Sequence, residues 1–253
     1  MTTDFAEHRV NTWLAALEAR HLADLTPSEV ARALRALSSC YVERRGRLVE
    51  GSALGSAGKR AAFALFYAPV HFFLARHILR ALPIDHARLT AIQDLGCGTG
   101  SAGAAWALET AGARVSGFDR HPWSVAEANW TYRQLEVAGH AARQDVARMP
   151  IRAGRGVGIL LAYAVNELSD EARAALLPRL LAAHRRGARI LVIEPIARRL
   201  AGWWPSWGTV FAEAGGVAAD WRFAIELPPR QRALARAAGL EPRELTARSL
   251  VLT

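Results

Sequence analysis

Seven residues, Asp94-Leu95-Gly96-Cys97-Gly98-Thr99-Gly100, restrict the fold of this chain more than any other stretch. A short apolar run at 89–92 precedes them, and Ser101-Ala102-Gly103-Ala104-Ala105-Trp106-Ala107-Leu108 follows. The succession reads as strand, tight glycine turn, then helix. Glycines at alternate positions let the backbone adopt φ > 0 and let a ligand approach the main chain with no Cβ in the way.

From residue 89 onward, strands and helices alternate. Strands are expected at 89–95, 113–119, around 141–145, at 156–164 and at 190–193, and helices at 101–111, 122–138 and 169–184. Ser169-Asp170-Glu171 supplies a cap and first-turn negative charge for the last of these helices. Such alternation defines an α/β chain with a doubly wound, mostly parallel sheet. The region that follows is less regular. Trp203, Trp204, Trp207 and Trp221 cluster near prolines and glycines, before a helix expected at 229–238 and a strand at 245–252.

The opening 85 residues read as helical instead. Val10, Trp13, Leu14, Leu17, His21 and Leu22 recur at helical spacing, and Thr26-Pro27-Ser28-Glu29 forms a capping box with proline at the first helical position. Val30, Leu34, Leu37 and Tyr41 line one side of the next helix. A small-residue segment at 51–58 precedes an aromatic helix at 60–82. The expected organisation is a helical N-terminal cap at 1–85 and an α/β domain at 86–253 with a tryptophan-rich insert at about 196–223.

Bulk properties bound the class. A chain of 253 residues with 51% hydrophobic content buries a full core. The net charge of +9 invites an anionic partner such as RNA, yet Lys59 is the only lysine, which also fits a compositional drift toward arginine. Cys40 and Cys97 have no metal-ligand spacing, so neither a metal site nor a disulfide framework is expected. The first residues carry an early acid and lack the apolar core of a signal peptide. The longest apolar run, 61–75, falls short of the roughly 20 residues of a membrane span. A soluble, cytoplasmic protein with no membrane partner is the expectation.

Acids or amides fall at four expected strand ends: Asp94, Asp119, Asp145, and Asn166 with Glu167. In an open α/β sheet, ligands bind beyond the carboxyl ends of the strands. Asp119 follows Gly100 by nineteen positions, the distance at which a second-strand carboxylate meets a ribose diol. An acid just before the glycine turn suits a ligand with positive charge, whereas a dinucleotide pyrophosphate is held by a helix N-terminus. The contrast points to S-adenosylmethionine, a sulfonium with an ammonium group. Gly98-Thr99-Gly100-Ser101-Ala102-Gly103 also matches the dinucleotide fingerprint. Asp94, and the lack of a catalytic lysine other than the distant Lys59, argue against that reading.

Asp94-x-Gly96-x-Gly98-x-Gly100, Asp119 and Asp145 resemble the cofactor motifs of class I S-adenosylmethionine-dependent methyltransferases over about 88–195. The resemblance implies a seven-stranded Rossmann-like sheet. It also implies that Gly96, Cys97, Gly98 and Gly100 pass under the cofactor, with Asp94 near its methionine part. Asp119 and Arg120 would then lie at its ribose, Asp145 and Val146 at its adenine, and Tyr163 close by. S-adenosylhomocysteine would be the product. A shorter stretch, Ala162-Tyr163-Ala164-Val165-Asn166-Glu167-Leu168 with Glu194-Pro195 and Asp220-Trp221-Arg222-Phe223, is similar to a ribosomal small-subunit-associated methyltransferase-like family. That family binds an iron–sulfur cluster through cysteines. Residues 196–223 contain none, so no cluster is expected here.

The side chains expected to meet the acceptor are Tyr163, Asn166 and Glu167 after the fourth strand, and Tyr67 with His71, four apart on the aromatic helix. Asn166 could hold an amine or amide through its carbonyl oxygen, and Glu167 could act as base or orient a cation. Glu194 is a weaker candidate. A small organic acceptor is favoured. The alternatives are RNA, with Arg44, Arg45, Arg47, Arg185, Arg186, Arg198 and Arg199 on phosphate and exposed tryptophans stacking on bases, or a non-catalytic cofactor-binding assembly factor. Oligomeric state is left open.

Overall fold

The computed structural model describes residues 2–43, 54–196, 202–224, 227–240 and 244–253. Arg44, Arg45, Arg47, Arg198 and Arg199, the start of the 51–58 segment and the side chain of Tyr41 lie outside the described residues. The chain divides into two compact units, Met1–His71 with Phe223–Leu245, and Phe72–Arg222 with Thr246–Thr253.

The first unit contains α1 (Thr2–His21), α2 (Pro27–Glu43), α3 (Ala57–Ala62), a π turn (Phe63–Tyr67) and α9 (Pro229–Ala237); α4 (Ala68–Ala81) runs on from the π turn and from Phe72 is counted with the second unit. Val10, Trp13, Leu14 and Leu17 are buried on α1, as their spacing requires. The capping box is reciprocal. The Thr26 amide donates to Glu29 Oε2 at 2.8 Å and the Glu29 amide to Thr26 Oγ1 at 3.3 Å. Ser56 Oγ caps α3 by accepting from the Lys59 amide. Arg35 of α2 donates to the Ala237 and Ala238 carbonyls, placing a cation at the negative end of α9. Gln231 of α9 is buried and donates to the Leu65 carbonyl inside the π turn.

The helical stretch Ala57–Ala81 spans 25 residues and is long and apolar enough to cross a membrane, which corrects the expectation from the shorter run at 61–75. Pro69 and His71 do not interrupt it: the π turn precedes Pro69, and the Leu65 carbonyl, which a proline cannot bond, accepts from Gln231 Nε2 instead. In its most apolar window, 72% is buried within the protein, the setting of a core helix.

The second unit is built on seven strands: β1 (Ala91–Leu95), β2 (Arg114–Asp119), β3 (Gly139–Arg143), β4 (Val157–Ala162), β5 (Arg189–Glu194), β6 (Val217–Phe223) and β7 (Leu245–Leu252). Their order is β3-β2-β1-β4-β5-β7-β6. The pairs from β3 through to β5 are parallel, and β7 is antiparallel to β5. Helices α5 (Ser101–Leu108), α6 (Pro122–Gln134), α7 (Asp170–Arg185) and α8 (Trp204–Glu213) complete the unit. Right-handed crossovers place α5 and α6 on one face and α7 on the other. The chain reverses between β1 and β4, which opens a crevice at the carboxyl ends of those strands.

Ile159, Leu161, Ile190, Val192, Leu176 and Leu180 are fully buried in the core of the α7 face. Trp207 and Phe211 of α8 join that core with their rings stacked at 6.3 Å. The region 202–224 is therefore a regular helix and edge strand, where the sequence reads as irregular. Tryptophan, proline and glycine have low helix propensity, and only burial of the Trp207–Phe211 face offsets it. The third strand begins two residues earlier than expected, at Gly139. The Tyr132 ring fills the space a Cβ would take there, 2.9 Å away. Phe211→Ala is expected to destabilise the second unit by about 3–5 kcal/mol in denaturant titration, against less than about 0.5 kcal/mol for exposed Val217→Ala.

Candidate functional site

The glycine turn leaves β1 at Leu95, and all three of its glycines are left-handed: φ is +76° at Gly96, +52° at Gly98 and +75° at Gly100. A Cβ on Gly100 would lie 2.8 Å from the Tyr132 ring, whereas one on Gly98 would meet nothing within 4 Å. The turn thus packs at its end and is open at its middle. The end of β2 anchors it. The Gly96 and Cys97 amides donate to the Phe118 carbonyl, and the Gly98 amide donates to Asp119 Oδ2 at 3.0 Å. Asp119 Oδ1 accepts from the His121 amide at 2.8 Å. Each oxygen keeps a lone pair for a further donor.

Asp94 is buried beneath the turn. Its Oδ2 accepts from the Gly103 amide at 3.1 Å, while Oδ1 has no hydrogen-bond partner among the described residues. Burial pushes its carboxyl up to about 7, the Gly103 amide opposes that shift, and the Asp119 charge adds to it. Cys97 Sγ packs toward Gly117 under the turn, and burial pushes its thiol up, so it stays protonated.

The other expected cofactor residues are spread along the same edge. Asp145 is exposed and caps a turn through the Ala147 amide at 3.0 Å. Val146 is buried in the core, and the Arg120 carbonyl accepts from Arg143 Nε.

Beyond β4, Tyr163 adopts φ +58°, a left-handed backbone for a bulky residue. That costs on the order of 1–3 kcal/mol and persists where surrounding structure enforces it. The Tyr163 amide donates to the Ile193 carbonyl at 2.8 Å. Burial, with the Glu194 charge adding to it, pushes the Tyr163 phenol well above its ordinary value.

Glu194, fully buried at the end of β5, holds the next turn. Oε1 accepts from the Val165 and Asn166 amides at 2.8 and 3.1 Å, and Oε2 accepts from Asn166 Nδ2 at 2.7 Å. Asn166 Oδ1 accepts from Trp203 Nε1 at 2.8 Å. An indole can only donate and a carboxylate can only accept, so the Asn166 amide has one permitted orientation. One N–H and one lone pair of that amide remain for a ligand. Glu167 is exposed.

Two residues here escape the sequence reading. Trp203 is noticed only as part of a cluster. Arg248 stands opposite Glu194 in the β5–β7 register, buried, with its guanidinium carbon 4.1 Å from the Trp204 ring centroid. The available signal was a lone cation inside the apolar strand 245–252. Tyr67 and His71 belong to the first unit, where their rings lie 6.0 Å apart, and Phe63 lies 5.6 and 6.0 Å from them.

Residues 92–187 match a family model described as "Methyltransferase domain". The structure of mitomycin 7-O-methyltransferase MmcR is similar over 94% of this chain and 71% of that one, at 17% identity and a TM-score of 0.54. A protein from Nostoc punctiforme PCC 73102, provisionally described as an O-methyltransferase, matches over 93% and 72% at 13% identity and a TM-score of 0.54. Magnesium protoporphyrin IX methyltransferase from Synechocystis PCC 6803 matches over 91% and 99% at 15% identity and a TM-score of 0.49. At such identities the likeness is one of fold. No curated protein matches the sequence. The family match thus identifies a methyltransferase domain within residues 92–187. The similarity to the ribosomal small-subunit-associated family is not supported by these matches.

The site residues fit S-adenosylmethionine. An open glycine backbone, a buried carboxylate oxygen with no partner among the described residues, and Asp119 with acceptor capacity to spare suit its main chain contacts, its ammonium and its ribose. Asp94 also sets a pH signature. Its folded value is raised from 3.8, so between about 4 and 7 the folded protein binds a proton that the unfolded chain has lost. Without cofactor, stability is expected to fall as pH rises through that window, and Asp94→Asn is expected to flatten the slope. Chemical denaturation at pH 5, 6, 7 and 8 checks both.

Proposed function

We propose that the chain methylates a small organic acceptor seated against Asn166 and Trp203, beyond β4 and β5. When bound, S-adenosylmethionine supplies an electrophilic methyl carbon on a sulfonium. The protein's task is then alignment and exclusion of water. Asp119 holds the ribose, Asp94 offers its open oxygen to the ammonium, and the Gly98 backbone admits the ligand. Asn166 orients the acceptor through its remaining N–H and lone pair, its own position fixed by Glu194.

None of the buried groups at this end suits a general base. Tyr163 stays a neutral phenol, and Glu194 already accepts three hydrogen bonds. An acceptor atom with a lone pair available at neutral pH, or one served by exposed Glu167, fits best.

The observation that favours a small molecule over RNA is the state of the tryptophans. None of the eight is exposed. Trp203 is tied to Asn166, Trp204 lies under Arg248, Trp207 is in the core, and Trp221 donates to Ser249 Oγ. Stacking on splayed bases needs open ring faces, and partial or full burial of every indole disfavours it.

Calorimetry is expected to show S-adenosylhomocysteine binding that Asp119→Ala weakens at least tenfold, about 1.4 kcal/mol. Absence of binding to the wild type overturns the cofactor assignment. With labelled cofactor, methyl label is expected in the low-mass fraction of a cell extract. Label found only in RNA overturns the acceptor reading, and no transfer to either fraction supports the assembly-factor alternative. Trp203→Phe keeps the ring but strips Asn166 Oδ1 of its donor. It is expected to raise the acceptor KM with S-adenosylhomocysteine affinity unchanged, and to cost about 1–2 kcal/mol of stability.

A further inference from the structure

The cofactor crevice occupies the carboxyl edge of the sheet. At the opposite edge, where the parallel strands begin, a cavity of about 490 Å³ opens between the segments that lead into β1, β4 and β5. Arg88, Arg155 and Arg189 line it, together with Thr90, Gly156, Gly187 and Thr253.

These arginines differ in what accounts for them. Arg88 is paired with Asp85 at 2.8 Å. Arg155 and Arg189 have no such explanation. Neither guanidinium has a hydrogen-bond or ion-pair partner among the described residues. Both belong to the stretches entering β4 and β5, which pair side by side from Gly158 and Arg189.

The wall is shaped to bring them together. Gly187 has φ +95°, and a Cβ there would lie 3.0 Å from Arg155 Cγ, so the Arg155 stem crosses directly over the glycine backbone. Gly156 has φ +81°, and its Cβ would meet Thr90 Oγ1 at 3.1 Å and the Arg88 carbonyl at 3.3 Å. Two left-handed glycines thus let three strand entries close around one space. A planar guanidinium presents paired donors that match a phosphate oxygen edge, and arginine keeps its charge at any physiological pH. The volume lies in the range of small-ligand sites.

We propose that this cavity is a second ligand site, separate from the methyl-transfer site, that takes a small phosphate-bearing molecule of about nucleotide size. Arg155 and Arg189 grip the phosphate oxygens, and Arg88 shifts between Asp85 and the ligand. The proposal stands whether or not the acceptor reading above holds, because it uses no residue of the cofactor crevice.

Calorimetry with inorganic tripolyphosphate at about 50 mM salt tests it. The wild type is expected to bind, and Arg155→Gln/Arg189→Gln to weaken binding at least tenfold, with the log-affinity against log-salt slope reduced in magnitude. Arg155→Lys/Arg189→Lys is expected to restore part of the affinity. The control pair Arg32→Gln/Arg133→Gln, neither of which lines the cavity, is expected to leave it unchanged. Unaltered S-adenosylhomocysteine affinity in every variant reports an intact fold. Absence of tripolyphosphate binding overturns the proposal, and so does equal weakening by both glutamine pairs. A labelled single-stranded RNA that binds while tripolyphosphate does not also overturns it, and assigns the charge to diffuse attraction for a nucleic-acid backbone.

Discussion

Where a parallel strand ends and the chain turns, backbone N–H groups leave the sheet ladder and must find acceptors. In this protein, buried or half-buried carboxylates supply them. Asp94 takes the Gly103 amide, Asp119 takes those of Gly98 and His121, and Glu194 takes those of Val165 and Asn166. Each acid stands at the last or next-to-last position of its strand. The same groups that hold the loops in shape therefore place negative charge along the carboxyl edge of the sheet.

The coupling has a cost that shows in the acids themselves. Asp94 is held so far from water that its carboxyl titrates near neutrality, and one of its oxygens has no hydrogen-bond partner among the described residues. A buried polar atom in that state destabilises the free protein and is relieved by a ligand with donors. The strained Tyr163 backbone after β4 is a second local cost on the same edge. Glu194 behaves differently. Its hydrogen bonds run on through Asn166 to the Trp203 indole, and the chain has a single permitted polarity. A ring that forms part of the proposed acceptor wall is thus oriented by a carboxylate two residues removed in the network.

The strands and the glycine turn with its strand-end acids were legible because their signals are local. The glycine motif, the capping residues and the apolar runs of β1, β4 and β5 each lie within a few positions. The acceptor half was not, for reasons visible in particular residues. Glu194 stands opposite Arg248 only because β7 returns antiparallel beside β5, and nothing near either residue announces that pairing. Helix α8 is hidden by Trp204-Pro205 and Gly208, whose propensities oppose a helix that burial of Trp207 and Phe211 enforces. Residues 223–245 rejoin the N-terminal helices as part of the first unit, an association that rests on packing such as the Gln231–Leu65 bond.

The sequence by itself determined the strand–turn–helix at 91–108, the acids at the strand ends and the kind of methyl donor they suit. Only the tertiary structure decided what each polar group does. It committed the Asn166 amide to Glu194 and Trp203, kept Tyr163 a neutral phenol and left Arg155 and Arg189 facing a common cavity. The physical reason is that a motif is set by neighbours along the chain. The protonation, partners and free valences of a side chain are set by whatever distant segment folds against it.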